Sequence, residues 1–396
     1  MPRALDPTTR LILVLGLGAG ASSLAGRALD PLVGIIGAEF GVAAATVALL
    51  GTAFALPYAL VQPVLGPVGD TVGKERVIRV CLVVLALALA ACAAAPDLAT
   101  LSMLRVVSGG AAGGVFPLAI AIIGDRVPLE RRQVALSRLL VAGLTGSVAG
   151  GALAAAVAPL IGWRGVMLVC AAAALAGLFV MRGGGSAPVE RRLDLGETMR
   201  RYAAILALPA ARSLYIAVFI EGALIYGVFP FLAPLFQQRG LAGTGGGVAE
   251  AGLAVAFYAL GGFVFAALAP MLLGRMGQAR MMVLGGALAA LGLASLAFAP
   301  AAWMAIAACL VLGVGFYMVH SSIQTRVTEV APKARGTAVA LHAFSFFLGQ
   351  SLGPVATGLA WAVMGPVSAL LCSALGMLAL AAWLAPRGRA THPPHR

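Results

Sequence analysis

The sequence predicts an all-α membrane protein of twelve transmembrane helices arranged as two pseudo-symmetric six-helix halves. Three observations predict it. Of the 396 residues, 61% are hydrophobic and only 10% charged, with a mean hydropathy of +1.01, more apolar surface than a soluble fold can hide from water. The apolar residues fall into twelve runs, each near the roughly 20 residues that cross a hydrocarbon core of about 30 Å. A short cationic stretch between the second and third runs recurs half a chain later, as a duplicated unit requires.

In chain order the runs are Leu11 to Gly37, Val42 to Leu65, Val77 to Ala95, Leu98 to Gly124, Val134 to Leu160, Gly165 to Val180, Leu214 to Phe236, Val248 to Leu273, Met281 to Phe298, Ala302 to Val327, Ala338 to Val363 and Val367 to Leu384. The first follows Arg3 and Arg10 as a signal peptide would, but it is long enough to span. The expected domains are residues 1–182 (N-terminal bundle), 183–212 (cytoplasmic linker) and 213–396 (C-terminal bundle). The linker carries E-R-R-L-D-L-G-E-T-M-R-R and reads either as a solvated connection or as an amphipathic helix on the inner membrane surface.

Charge sets the expected orientation. With the N-terminus inside, the groups Lys74, Arg76 and Arg79, then Arg131 and Arg132, then Arg191, Arg192, Arg200 and Arg201 are all cytoplasmic, and only Arg164 and Arg239 lie outside. Both termini are therefore expected in the cytoplasm, with the chain multi-pass in an inner membrane. The net charge of +13 is dispersed among short loops, which fits anionic membrane lipid and not nucleic acid. The five cysteines sit in apolar runs with no metal-ligand or disulfide spacing, so neither a metal nor a cofactor is expected.

The stretch Gly66 to Arg76 reads G-P-V-G-D-T-V-G-K-E-R, and Leu273 to Arg280, L-G-R-M-G-Q-A-R, aligns Gly277 with Gly73. The first copy resembles the loop signature between helices two and three of the major facilitator superfamily. The resemblance implies a conformational gate formed by Gly66, Asp70, Gly73, Lys74 and Arg76. Asp70 would latch the cytoplasmic side by facing the positive N-terminal end of the eleventh helix near Gly336; simple helix capping is the alternative.

Ionisable groups in spanning helices cost from about 2.5 kcal/mol upward unless paired or wet, so each is a functional candidate. Arg27 and Asp30 stand three residues apart on one helical face, and Arg105 on the fourth helix reaches a similar depth. The three can form a cluster in the outer half of the membrane, or a structural ion pair near its mouth. The run R-V-V-S-G-G-A-A-G-G from Arg105 also resembles the superfamily's R-x-x-x-G-x-x-x-G signature. That implies a role for Arg105 in proton movement, with Asp30 as its titrating partner.

Gly146 to Gly151, G-S-V-A-G-G, is similar to the G-P-x-x-G-G antiporter signature, with Ser147 in place of the proline. Glu221 lies mid-membrane in the seventh helix ahead of Tyr226, Phe229 and Pro230, a setting that suits an amphiphilic ligand. His320 and His342 lie in the inner third and are weaker candidates, read either as groups that titrate near neutrality or, by preference, as hydrogen-bonded structural histidines. The stretch from His320 through Leu348 to Pro354 resembles bacterial drug-efflux-type and sugar-efflux-type facilitators.

The expected function is secondary transport of a small organic solute by alternating access, as a monomeric, proton-coupled exporter. The alternative is a symporter or uniporter for an organic anion bound by Arg27 and Arg105. No nucleotide-binding G-x-x-x-x-G-K-[ST] loop and no catalytic constellation occurs, so neither an ATP-driven pump nor an enzyme is expected.

Overall fold

A computed structural model describes residues 6–181, 195–243, 246–331 and 335–386, and among them there is no strand. The chain divides into two compact units, Met1–Arg200 and Arg201–Arg396.

In the first unit, α1 (Pro7–Arg27) opens with Asp6 accepting the Thr9 N–H at 3.3 Å and Pro7 in its first turn, where a missing N–H costs nothing. A 3-10 turn, Asp30–Leu32, interrupts the crossing before α2 (Val33–Phe40) completes it. Then follow α3 (Ala44–Val72), α4 (Lys74–Cys92), α5 (Leu98–Ala112) and α6 (Val115–Arg126), the last two forming one crossing with a break at Gly113 and Gly114. The unit closes with α7 (Leu129–Val180), which holds two crossings.

The second unit repeats this plan. After the short α8 (Leu195–Leu206), α9 (Pro209–Tyr226), a 3-10 turn at Phe229–Phe231 and α10 (Leu232–Gln238) form one broken crossing. Proline holds the second position of both 3-10 turns, as Pro31 and Pro230, and it cannot donate the bond that would continue a straight helix. α11 (Val248–Phe298) and α13 (Arg335–Leu384) each hold two crossings, with α12 (Ala302–Val330) between them.

Nine described stretches are long and apolar enough to cross a membrane. Two of them, Arg138–Val180 and Thr337–Leu384, are double crossings divided at Gly162 and Gly365, and α4 adds one more behind its first two turns, which carry Lys74, Glu75, Arg76 and Arg79. The count is twelve, in agreement with the sequence. Gly162, Gly277 and Gly365 take φ of 69°, 71° and 79° with ψ near extended values, a conformation that reverses the chain in a single residue and excludes a Cβ.

The stretch read as a loop from Gly66 to Arg76 is mostly helix. α3 continues to Val72, the turn is confined to Gly73 (φ 99°, ψ 117°), and α4 begins at Lys74. Helix is retained because Gly69 packs against α6, where an added Cβ would approach Leu118 to 2.6 Å. The side chains of Gly66, Asp70 and Gly336 lie outside the described residues, as do most of the linker (182–194) and residues 244 and 245.

Close glycine contacts hold the first crossing of each unit against the fifth. Gly146 and Gly150 of α7 face the carbonyls of Gly20 and Leu24 on α1; Gly349 and Gly353 of α13 face those of Phe219 and Ala223 on α9. A Cβ at Gly150 would stand 2.6 Å from the Leu24 oxygen, so only glycine lets these backbones approach so closely. The G-S-V-A-G-G stretch thus has a packing role, and G-Q-S-L-G-P repeats it in the second unit.

Candidate functional site

Each unit buries its own set of polar groups. In the first, Arg27 Nη1 meets Asp30 Oδ2 at 3.3 Å across the break between α1 and the 3-10 turn, with Asp30 5% exposed. Arg105 is fully buried on α5, whose N-terminus Asp97 caps by accepting the Thr100 N–H at 2.7 Å. One turn beyond Arg105, Gly109 lies against the Phe54 carbonyl and brings α3 close enough to set the Phe54 ring beneath the guanidinium, 4.3 Å from centroid to Cζ. Arg105 Nη1 donates to the Ala25 carbonyl at 3.0 Å, while its Nε has no partner. The three predicted residues thus gather in one unit, yet it is Arg27 that bonds Asp30, and Arg105 meets a carbonyl and an aromatic face.

In the second unit the sequence placed Glu221, Tyr226 and Phe229 together and set His320 and His342 aside. The structure joins them. Glu221 is fully buried, and its Oε2 lies 2.8 Å from His320 Nδ1 on α12. The His320 ring stands 5.2 Å from that of His342 on α13, 4.7 Å from Phe346 and 5.2 Å from Phe316. Tyr226 presents its edge or face to Phe229, Tyr258, Phe316 and Phe346 at 5.1 to 6.1 Å, and its hydroxyl is 3.4 Å from that of Tyr258. Glu221 Oε1 and His342 Nε2 are buried without partners. Sequence reasoning missed this pairing because 99 residues separate Glu221 from His320. The available signal was two intramembrane histidines on helices of the same half as the acid.

Of the gate residues, Lys74 bonds Asp125 at 2.7 Å, and its neighbour Glu75 bonds Arg126 at 2.6 Å, so the turn at Gly73 is tied to the end of α6 within its own unit. Arg76 is exposed. At the opposite end Glu39 accepts from Trp163 Nε1 at 2.5 Å and pairs with Arg164, which also donates to the Ala95 carbonyl at 3.1 Å. Arg239 bonds the Ala297 carbonyl. Among the described residues no group of three or more His, Cys, Asp or Glu side chains is placed to hold a metal ion.

Two six-crossing units with buried acids, cations and an aromatic cluster define a polytopic transporter. The chain belongs to the Major Facilitator Superfamily, whose family model matches residues 15–354 and 214–395. It is 23% identical over 374 residues to the uncharacterized MFS-type transporter YwfA of Bacillus subtilis (strain 168), covering 93% of this chain and 90% of that one. A multidrug resistance protein B homolog of Mycobacterium tuberculosis is 30% identical over 132 residues, 33% of this chain and 24% of that protein. In fold the chain is similar to a bacterial homolog of the human lysosomal transporter Spinster, with a TM-score of 0.78 at 18% identity over 99% of this chain and 100% of that one. The protein is thus a multi-pass membrane transporter of small molecules and not an enzyme.

Proposed function

We propose that the chain is a proton-coupled exporter of a small organic solute, working by alternating access as a monomer in the inner membrane with both termini cytoplasmic. The observation that carries this reading is Glu221, a fully buried carboxylate bonded to an uncharged-capable histidine and to no lysine or arginine among the described residues. A carboxyl group without a fixed cation is stable in a membrane interior when it holds a proton, and it gives that proton up to water of neutral pH once it is solvated. Asp30 differs, because Arg27 at 3.3 Å supplies a permanent counter-charge. The geometry therefore favours Glu221 over Asp30 as the group that exchanges the proton, with Arg27, Asp30 and Arg105 as a fixed polar site for the solute. Tyr226 and Phe229 supply apolar wall joined, through Phe316 and Phe346, to the acid's histidine partner.

The drug-resistance relative supports export over uptake. The basic loops support the proposed orientation, and α8, with Arg200 and Arg201 beside the exposed Met199 and Leu206, fits a helix resting on anionic lipid. Residues 1–182 and 213–396 would act as the two moving halves, joined by 183–212, with the gate at Gly66, Asp70, Gly73, Lys74 and Arg76.

The test is flux of a compound panel in proteoliposomes under imposed pH gradients. Glu221→Gln should abolish accumulation driven by the gradient while solute exchange at equal pH continues, and Asp30→Asn should weaken both. Gradient-driven accumulation surviving in Glu221→Gln and lost in Asp30→Asn would return the coupling role to Asp30. A second reading, transport of an organic anion without a proton, is favoured by the unpartnered Nε of buried Arg105. It predicts flux indifferent to the pH gradient.

A further inference from the structure

His320 and His342 are left unexplained by a transporter whose proton site is a single carboxylate. Their heights in the unit are graded. Counted at about 1.5 Å per residue, Glu221 lies about 18 Å from the start of α9 at Pro209, His320 about 15 Å from the end of α12 at Val330, and His342 about 10 Å from the start of α13 at Arg335. These three helix ends lie on one side of the membrane, because successive crossings alternate in direction. The acid and the two imidazoles thus step towards that side.

We propose that Glu221, His320 and His342 form a proton relay, with His342 the group that passes protons between the buried acid and the side of the membrane where α12 ends. The proposal rests on Glu221 being the protonated group, as argued above. Glu221 Oε2 and His320 Nδ1 are already at hydrogen-bond distance, 2.8 Å. The His320 and His342 rings meet edge to face at 5.2 Å and 60°, close enough for nitrogens on the facing edges to bond after a rotation about a side-chain torsion. His342 is 3% exposed and keeps Nε2 without a partner, which a histidine serving only to hold helices together has no reason to do.

The step balances without any redox partner. The O–H bond of Glu221 breaks as an N–H bond forms at His320 Nδ1; the N–H bond at His320 Nε2 breaks as one forms on His342. His320 is returned to a neutral tautomer, Glu221 is left as carboxylate and His342 as imidazolium, one proton nearer the surface. The other titratable groups of the cluster, Tyr226 on α9, Tyr258 on α11 and Tyr317 on α12, pack around Phe316, which stacks on His320; Arg326, lower on α12, is turned to Gln278 and Leu384. The Tyr226 and Tyr258 hydroxyls lie 3.4 Å apart, whereas His320 bonds the acid directly, so the path runs through the histidines.

The experiment needs no substrate. The full chain in lipid nanodiscs is transferred to deuterated buffer, and exchange of the protonated carboxyl is followed by its infrared C=O band, assigned by its loss in Glu221→Gln. His342→Phe keeps a ring in the cluster and should slow the exchange of that band by about a hundredfold, the scale of a positioned proton carrier. His342→Asn serves as a second variant of different shape and should slow it too. A band that belongs to Glu221 but exchanges at the wild-type rate in both variants overturns the relay and leaves the acid's role standing. Absence of any protonated carboxyl band that Glu221→Gln removes, at every pH across the neutral range, overturns the reading of Glu221 itself and the relay with it.

Discussion

His320 Nδ1 and Glu221 Oε2 lie 2.8 Å apart, joining two helices that are 99 residues distant in the chain and supplying the one bonding partner this buried carboxylate has among the described residues. Removing the imidazole strands the acid. His320→Ala should lower stability by about 1 to 3 kcal/mol, the cost of an unsatisfied buried polar group. Pairing it with Glu221→Leu should recover part of the loss, because no buried acid then remains. Thermal unfolding of the two single variants and the double variant in detergent measures the coupling, and strictly additive losses would show that the bond contributes nothing.

Arg105 separates stability from function. Its guanidinium bonds the Ala25 carbonyl and lies on the Phe54 face, and a lysine cannot do both, so Arg105→Lys should cost roughly 1 to 3 kcal/mol. Arg105→Met loses the same contacts but buries no charge without a partner, and should cost less folded yield than Arg105→Lys while transport is lost. Size-exclusion yield and proteoliposome flux read the two effects independently.

Gly146 faces the Gly20 carbonyl more closely than any Cβ can stand. Gly146→Ala should push α7 from α1 and lower stability by about 1 to 3 kcal/mol. Gly51, inside α3 with nothing within 4 Å of a built Cβ, is the control: Gly51→Ala should leave stability unchanged or raise it by up to about 1 kcal/mol. Equal unfolding temperatures for the two variants would contradict the close approach.

Asp97 gives a pH effect outside the membrane. The Thr100 backbone N–H, and then its side chain, hold the Asp97 carboxyl below the usual carboxylate range. A depressed folded value means that the cap's contribution is present above the unfolded value of about 3.9 and is lost as pH falls through the lower folded value. Asp97→Ala should therefore unfold at a lower temperature than wild type at neutral pH, with the difference shrinking below pH of about 3.9. A difference that is constant with pH would remove the cap as its cause.

The sequence by itself determined the crossings and their order. Lipid offers no partner to a backbone N–H or C=O, so each apolar run of sufficient length must be a helix whatever packs beside it. It also determined the reversal at Gly73 and Gly277, since both copies need a residue free of a Cβ, although it drew the first loop far too wide: helix persists through Gly66 and Asp70 once α6 packs on Gly69. The bond between Arg27 and Asp30 was legible because both partners lie three residues apart. The tertiary structure decided the long-range pairings. Membership of a spanning helix shows that Glu221, His320, His342 and Arg105 are buried, but the apolar background gives no periodic signal for the face each one occupies. That face is set by which backbones can approach: the glycines of α13 draw it against α9, and Gly109 draws α5 against α3. From those contacts follow the histidine beside Glu221 and the phenyl ring beneath Arg105.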